Sequence, residues 1–492
     1  MTGSQHPGTG NRHSIVLKFG GTSVGNAERI RGAAEIVRGY AGGEDVIVVV
    51  SAVSGVTDML ILAAQRAAAK QGFEALQLVL NVQKLHATIV EELGLEGERA
   101  TLNGEVQALV GELQNFVQSV SILGEVTPRT LDYISGIGER LSCRLVAAAL
   151  RGAGCRAEAV ESTRFLVTDD NFGNAFPYLI HTGERARAVL GPLLESGVVP
   201  VVTGFIGATE DGFTTTLGRG GSDYSASIVG SVVGAREIII WTDVDGVMTA
   251  NPRVVEEART LPQISYLEAA ELSYFGAKVL HPKTIAPAVE RGIPVYIRNS
   301  FNPEAPGTKI VAESANGAGP VRAITAISKL ALLTVQGKGM IGLPGVAARL
   351  FSTVAHENVN VLMISQSSSE YNICLVIEEK FGRKASTALE KAFATEIDHG
   401  LIEGTDLHNG VSIVAVIGSG MRGKPDVAGR VFTLLGKEAV DVLAIAQGSS
   451  ELNLSFVLSS VDEDRAVRAI HNEFGLGAGG QGSGVRNQES GS

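Results

Sequence analysis

The sequence predicts an α/β protein in which a parallel sheet covered by helices is followed by a small module present twice. Two observations carry this: short apolar or β-branched runs alternate with helical patterns through the first part of the chain, and the C-terminal part repeats itself at a fixed offset of 81 residues. With 492 residues the chain exceeds what one hydrophobic core holds, about 250–300 residues, so several domains are expected. Hydrophobic residues at 45% and charged residues at 19% describe a globular protein. A net charge of −11 disfavours a nucleic-acid or anionic-membrane partner. An anionic substrate would need a local basic site.

The first run, Ile15–Phe19, reads as a buried strand and passes straight into Lys18-Phe19-Gly20-Gly21-Thr22-Ser23. Its glycines let backbone N–H groups approach an anion, and Thr22 or Ser23 is placed to cap a helix over Asn26–Gly39. Lys18 precedes the glycines, whereas a P-loop lysine follows them. Further strands are expected at Val46–Ser51, Val198–Thr203, Glu237–Trp241 and Pro294–Ile297. Between Met59 and about Leu150 the chain is rich in Ala, Leu, Gln and Glu at helical spacing, a helical insertion between two strands. It closes on Ile134-Ser135-Gly136-Ile137-Gly138-Glu139-Arg140-Leu141-Ser142, read as a turn that places Glu139 at a helix start.

Two more loops carry chemistry. In Thr214-Thr215-Thr216-Leu217-Gly218-Arg219-Gly220-Gly221-Ser222-Asp223-Tyr224-Ser225 the Arg219 fork suits a carboxylate or phosphate, and Asp223 can hold a lysine or orient a metal, ahead of a helix starting near Tyr224. The stretch Trp241-Thr242-Asp243-Val244-Asp245-Gly246 leaves a buried strand through a polar turn. It lacks the spacing and terminal Glu of a calcium loop, and a strand-end position favours nucleotide contact. Phe275-Gly276-Ala277-Lys278-Val279-Leu280-His281-Pro282 adds a lysine at a glycine turn, with His281 read as structural.

In the repeat, Gly337-Lys338-Gly339-Met340 matches Gly418-Ser419-Gly420-Met421, and Gln366-Ser367-Ser368-Ser369-Glu370 matches Gln447-Gly448-Ser449-Ser450-Glu451. Each copy reads strand (Leu330–Val335; Val411–Ile417), helix (Val346–His356; Val427–Lys437), strand (Val359–Ser365; Val440–Ala446) and strand (Asn372–Ile377; Asn453–Leu458), a βαββ module. Gly337, Gly339 and Gly342, like Gly418, Gly420 and Gly423, satisfy a dinucleotide fingerprint. No acidic ribose ligand and no further crossover helix follow the second strand, so the glycines are assigned to a loop of a small-molecule sensing module, with Gln366 and Gln447 as ligand hydrogen-bonders.

Cys143, Cys155 and Cys374, with no CxxC, fit a reducing compartment and read as core residues. No apolar signal region or membrane-length run is seen, so a cytoplasmic protein is expected. There is no hydrolase-type Ser/His/Asp series, no HExxH and no cysteine cluster. Two glycine-rich anion loops with Lys, Arg and an acidic partner instead describe phosphoryl transfer, in which the protein positions and neutralises.

Taken together, the Lys18, Arg219, Trp241 and Phe275 motifs and Ser51-Ala52-Val53-Ser54-Gly55-Val56-Thr57 resemble the aspartate kinase family, from about residue 14 to 474, and the paired modules resemble ACT domains. The resemblance implies a three-layer amino-acid-kinase (carbamate-kinase-like) fold over 14–315 with an insertion at about 59–150. It also implies ferredoxin-like ACT domains at 326–400 and 408–474; the low-complexity tails at 1–13 and 475–492 bury too little apolar surface and are expected to be disordered. It implies transfer of the ATP γ-phosphoryl group, with Mg²⁺ bridging phosphates, to the side-chain carboxylate of L-aspartate. A carboxylate is already ionised at neutral pH, so no general base is needed. By motif, Lys18 would neutralise the moving phosphoryl group and Asp223 would hold that lysine. Arg219 would clamp the α-carboxylate and Glu139 the ammonium, with Ser51, Thr57 and Ser222 also at the substrate. Lys18, Gly20, Gly21, Thr242, Asp243, Met248, Arg253 and Lys278 would line the ATP site. Met248 stands where the family often has Tyr, and Asn251 where it often has Asp. The paired modules imply feedback by an end-product amino acid through Gln366, Asn372, Asp426, Gln447 and Asn453, with threonine favoured over lysine, in a homodimer or homotetramer. Acetylglutamate kinase, glutamate kinase and a non-catalytic amino-acid sensor are the alternatives.

Overall fold

The computed structural model describes residues 14–276, 280–313, 319–340, 345–367, 371–424, 426–448 and 452–477. Lys278, the tail 1–13 and most of the C-terminal tail lie outside these residues. The chain divides into two compact units, the first holding residues up to 247 with 262–266 and 280–313, the second holding 248–261, 267–279 and everything from 314.

The strands of the first unit are β1 (Ser14–Phe19), β2 (Asp45–Val50), β3 (Ala157–Val160), β4 (Val199–Thr203), β5 (Ile206–Ala208), β6 (Thr214–Thr216), β7 (Glu237–Thr242), β8 (Gln263–Ser265), β9 (Val295–Asn299) and β10 (Thr308–Val311). β5 and β6 form a separate hairpin. The other eight make one sheet in the order β3-β4-β2-β1-β7-β9-β10-β8, parallel from β3 to β9 and reversed at β10. Ile15, Val16, Leu17 and Phe19 are all 0% exposed, and successive strand residues face opposite sides, so β1 is covered on both faces. Ile15, Leu17 and Phe19 join a core built with α1 (Ala27–Ala41), α2 (Val56–Ala68), α3 (Gly72–Leu93), α4 (Arg99–Leu123) and α5 (Pro128–Gly152). Helices α6 (Leu179–Glu195) and α7 (Gly221–Val233) pack together, and α7 also meets β1 and β7.

Two local expectations are corrected. The helix after the first glycine loop is capped by Asn26, whose Oδ1 accepts the Arg29 N–H at 2.9 Å, while Thr22 and Ser23 lie in a 3-10 turn and Ser23 is buried. The stretch Ile134–Ser142 is no turn: α5 runs unbroken from its Thr127 cap with Pro128 at its first position, and Glu139 sits mid-helix. Its glycines serve packing, because a Cβ on Gly138 would come within 2.7 Å of the Ala52 Cβ and one on Gly136 within 2.7 Å of the Ile206 Cγ2. A turn-like composition there reflects close approach of neighbours, which sequence alone does not distinguish from a φ > 0 requirement.

The second unit holds β11 (Ala323–Gln336), β12 (Val361–Gln366), β13 (Asn372–Glu378), β14 (Gly404–Ile417), β15 (Ala444–Ala446) and β16 (Asn453–Ser459) in one antiparallel sheet ordered β12-β13-β11-β14-β16-β15. Each βαββ module carries a second helix that sequence reading omits, Gly382–Ala392 and Glu463–Glu473. Both are strongly amphipathic, with Ala385 and Leu389 buried in one and Ala466, Val467 and Ile470 in the other, so a helical period was present in the sequence. The long strands are shared: Ala323–Ile327 pairs with Ile413–Ile417 of the second module, and Ala331–Gln336 with Gly404–Asn409, around a bulge at Ile327/Leu330. Residues 248–261 belong to this unit because Ala250 and Val255 enter the second module's core, and Thr249 Oγ1 lies 3.0 Å from His471 Nε2. Among the described residues no helix is long and apolar enough to cross a membrane.

Gly337 and Gly418 of the repeat are packing glycines. A Cβ on Gly337 would collide with the Leu401 carbonyl oxygen, and one on Gly418 with that of Pro320, whereas Gly423 has open space around it. Gly418→Ala is therefore expected to lower stability by about 1–3 kcal/mol through overpacking, read as a lower denaturation midpoint. An unchanged midpoint would contradict the close approach.

Candidate functional site

The site forms where parallel strands end together. β1 lies between β2 and β7 in register, Phe19 opposite Val50 on one side and Trp241 on the other, so the loops after all three strands leave from one edge. The Phe19 and Trp241 rings stack at 6.2 Å, and Gly20 N–H donates to the Trp241 carbonyl at 3.2 Å, which fixes the first glycine loop against β7. A Cβ on Gly21 would lie 2.8 Å from the Ala52 carbonyl oxygen, so the loop after β2 also closes on it.

A cavity of about 560 Å³ opens there, lined among others by Lys18, Ser51, Thr57, Glu139, Arg219 and Asp223. Thus residues expected at the substrate, including Ser222, are gathered in one concavity. Lys18 Nζ lies 2.6 Å from Asp223 Oδ1, with both side chains largely buried. The N-terminus of α7 follows two left-handed glycines, Gly218 at φ 78° and Gly220 at φ 70°, and that of α2 follows Gly55 at φ 80°. These helix ends bring unpaired N–H groups and partial positive charge to the cavity.

Glu139 is 3% exposed and its Oε2 has no hydrogen-bond partner. Burial pushes its carboxyl up to about 8, outweighing a backbone hydrogen bond from Ala52. A buried carboxyl with an orphaned oxygen is a waiting partner for a cation. Cys143, by contrast, is buried with its thiol pushed up to about 12 by desolvation, a core residue rather than a nucleophile. Cys155 and Cys374 are only half-buried.

The nucleotide expectations divide. Thr242 ends β7 and Asp243 follows it, just beyond Trp241, whose carbonyl accepts the Gly20 N–H, and Asp245 Oδ1 accepts the Asn299 amide at 2.8 Å, which braces that loop. Met248 and Arg253 belong to the second unit. His281 is structural, as expected: it caps the helix Pro282–Glu290 by accepting the Lys283 N–H at 3.3 Å. Of the effector positions, Gln366 ends β12 and Gln447 follows β15, both exposed. Asn372 and Asn453 start β13 and β16, and Asp426 opens the helix Asp426–Lys437. Among the described residues no group of three or more His, Cys, Asp or Glu is assembled to hold a metal.

Two features at or behind the cavity wall went unread in the sequence. Phe205 lines the wall at φ 66°, a conformation unusual for a bulky residue. Asp132, buried on α5, binds the hairpin that leads to Arg219. Neither carries a composition signal, since each follows from tertiary placement.

Residues 14–299 match the model of the amino acid kinase family, and 333–393 and 414–474 match an ACT domain model. The chain belongs to the amino acid kinase family. A bifunctional aspartokinase/homoserine dehydrogenase of Zea mays is 39% identical over 94% of this chain, which spans only 50% of that relative. The chain covers about half the length of such bifunctional relatives. Aspartokinase 1 of Arabidopsis thaliana is 31% identical over 94% of this kinase chain and 80% of its own. Crystal structures of E. coli aspartokinase III are similar throughout. The complex with lysine and aspartate gives TM-score 0.79 at 31% identity, covering 94% of this chain and 99% of that one. The complex with aspartate and ADP gives 0.76 at 30%, covering 93% and 99%. The kinase unit thus carries the family's fold, and the tandem modules are ACT domains.

The state of Glu139 sets a pH dependence. Its carboxyl is largely protonated below about 8, and a ligand cation requires the ionised form, so binding such a ligand below that pH releases a proton. Affinity is expected to rise with pH and level off above about 8. Calorimetry in buffers of different ionisation enthalpy reads the released proton, and Glu139→Gln should abolish it.

Proposed function

We propose that the protein is an ATP-dependent aspartate kinase, transferring the ATP γ-phosphoryl group to the β-carboxylate of L-aspartate to give 4-phospho-L-aspartate, the first step of lysine, threonine and methionine biosynthesis. The observation that carries the reading is the Lys18–Asp223 pair at 2.6 Å inside a cavity that also holds Glu139 and Arg219. An amino acid needs one anionic and one cationic partner, and an incoming phosphoryl group needs a cation beside it. The aspartate and ADP held by E. coli aspartokinase III support the same pairing of ligands.

In this reading Arg219 takes the α-carboxylate through its planar fork and Glu139 takes the α-ammonium. Ser51, Thr57 and Ser222 bond the rest of the substrate. The β-carboxylate is then held as an ionised nucleophile, and catalysis consists of alignment and charge neutralisation. Asp223 holds Lys18 through their ion pair and directs it at the transferred group, while N–H groups at the start of α7 and that of Gly21 donate to phosphate oxygens. Thr242, Asp243, Met248, Arg253 and Lys278 are assigned to the nucleotide. Mg²⁺ is assigned to the phosphates, where it would neutralise the charge that develops in transfer.

The tandem ACT domains are assigned to feedback by an end-product amino acid, threonine with lysine as runner-up, sensed through Gln366, Asn372, Asp426, Gln447 and Asn453 in a homodimer or homotetramer. The lysine bound by E. coli aspartokinase III keeps the runner-up in the test.

A coupled ADP-release assay with aspartate, glutamate and N-acetylglutamate tests the reaction, and turnover independent of aspartate overturns it. Lys18→Ala should lower kcat by about 10²-fold or more, judged against the loss on removing a single oxyanion donor, while effector binding persists. For regulation, the rate is measured with threonine or lysine added. Gln366→Ala combined with Gln447→Ala should flatten the inhibition curve, and an unaltered curve removes these residues from the effector site.

A further inference from the structure

The most heavily committed buried carboxylate in the kinase unit touches no reacting group in the reading above. Asp132 is 3% exposed on α5. Its Oδ2 accepts the backbone N–H of Gly173 and of Thr216, each at 2.8 Å, and its Oδ1 accepts the Thr216 hydroxyl at 2.8 Å. Burying a carboxylate is costly unless its lone pairs are satisfied, and here three donors from two separate segments converge on one side chain.

The position of those segments gives the carboxylate its meaning. Asp132 precedes Glu139 by seven residues on the same helix, which places both on one face about 10 Å apart along the axis. Thr216 ends β6, three residues before Arg219. The two bound segments also fasten to each other, Ala175 N–H donating to the Thr216 carbonyl at 2.9 Å, and a Cβ on Gly218 would come within 2.9 Å of the Asn174 Oδ1. Next along the chain, Leu217 N–H donates to the carbonyl of Phe205 in the cavity wall at 2.9 Å. The loop carrying Arg219 is thus tied to the helix carrying Glu139 through one side chain.

We infer that Asp132 is a positioning residue for amino-acid recognition, fixing the separation between Glu139 and Arg219 so that an α-ammonium and an α-carboxylate are read together. The inference rests on the proposed function for the roles of those two residues. It adds that acceptor affinity, rather than nucleotide affinity, depends on the Asp132–Thr216 bonds.

Thr216→Val removes only the hydroxyl donor at nearly constant shape, and Asp132→Asn replaces one acceptor by a donor facing N–H groups. Both are assayed in the full chain with whichever of aspartate and glutamate, the acceptors that carry an α-ammonium, the unaltered protein phosphorylates. Loss of one hydrogen bond to a charged group predicts an acceptor KM raised by roughly tenfold for Thr216→Val, with the ATP KM within about twofold. Because Thr216→Val is the milder change, it decides the matter even where Asp132→Asn does not fold. A lowered unfolding midpoint with an unchanged acceptor KM overturns the inference, as do acceptor and ATP KM values that rise together. Turnover of glutamate alone defeats the aspartate assignment while leaving this test intact, because glutamate carries the same α-ammonium and α-carboxylate, whereas turnover of N-acetylglutamate alone, whose nitrogen is an uncharged amide, overturns both. Phosphorylation of none of the three sinks both.

Discussion

The kinase unit depends on the in-register parallel pairing of β1 with its two neighbours. Parallel strands end at a common edge, and because Phe19 faces both Val50 and Trp241, the chain is released into loops at three adjacent points. Everything chemical follows from that edge. Lys18 is the penultimate residue of a strand buried from Ile15 to Phe19, so its ammonium has one direction to take and meets Asp223 at the start of α7. A one-residue slip would turn Lys18 onto the opposite, equally buried face and leave its ammonium away from Asp223.

The cavity is assembled from groups whose satisfaction is incomplete. Helix ends with free N–H groups and a carboxyl with an orphaned oxygen are each unfavourable in a closed core. Their gathering around one concavity is the physical signature of a site completed by its ligand. Lys18 and Asp223 meanwhile hold each other in place, so the cation is oriented before anything arrives.

Much of this was legible in the sequence. Continuous apolar runs gave β1, β2, β4, β7 and β9 to within a few residues, and exact repetition located both modules, because buried parallel strands and duplicated segments leave local marks. What escaped is set by distant neighbours. Gly136 and Gly138 look like turn residues but accommodate Ile206 and Ala52, so Glu139 was placed at a helix end instead of mid-helix. The second helix of each module is mostly polar, although its few apolar residues keep a helical period that was legible in the sequence. Short strands such as β3, β8 and β10 have their places fixed by the sheet rather than by propensity. Asp132 resembles any helical aspartate until Gly173 and Thr216 fold onto it.

The shared strands of the regulatory unit mean that the repeat seen in the sequence and the unit that folds are different objects. During synthesis, Ala323–Ile327 emerges long before Ile413–Ile417, the segment it pairs with, and the whole first module must leave the ribosome in between. A chain cut at the repeat boundary would therefore strand an unpaired edge in each half. Duplication produced two copies of a module, but the fold has spliced them into a single object that must be inherited, translated and degraded as one.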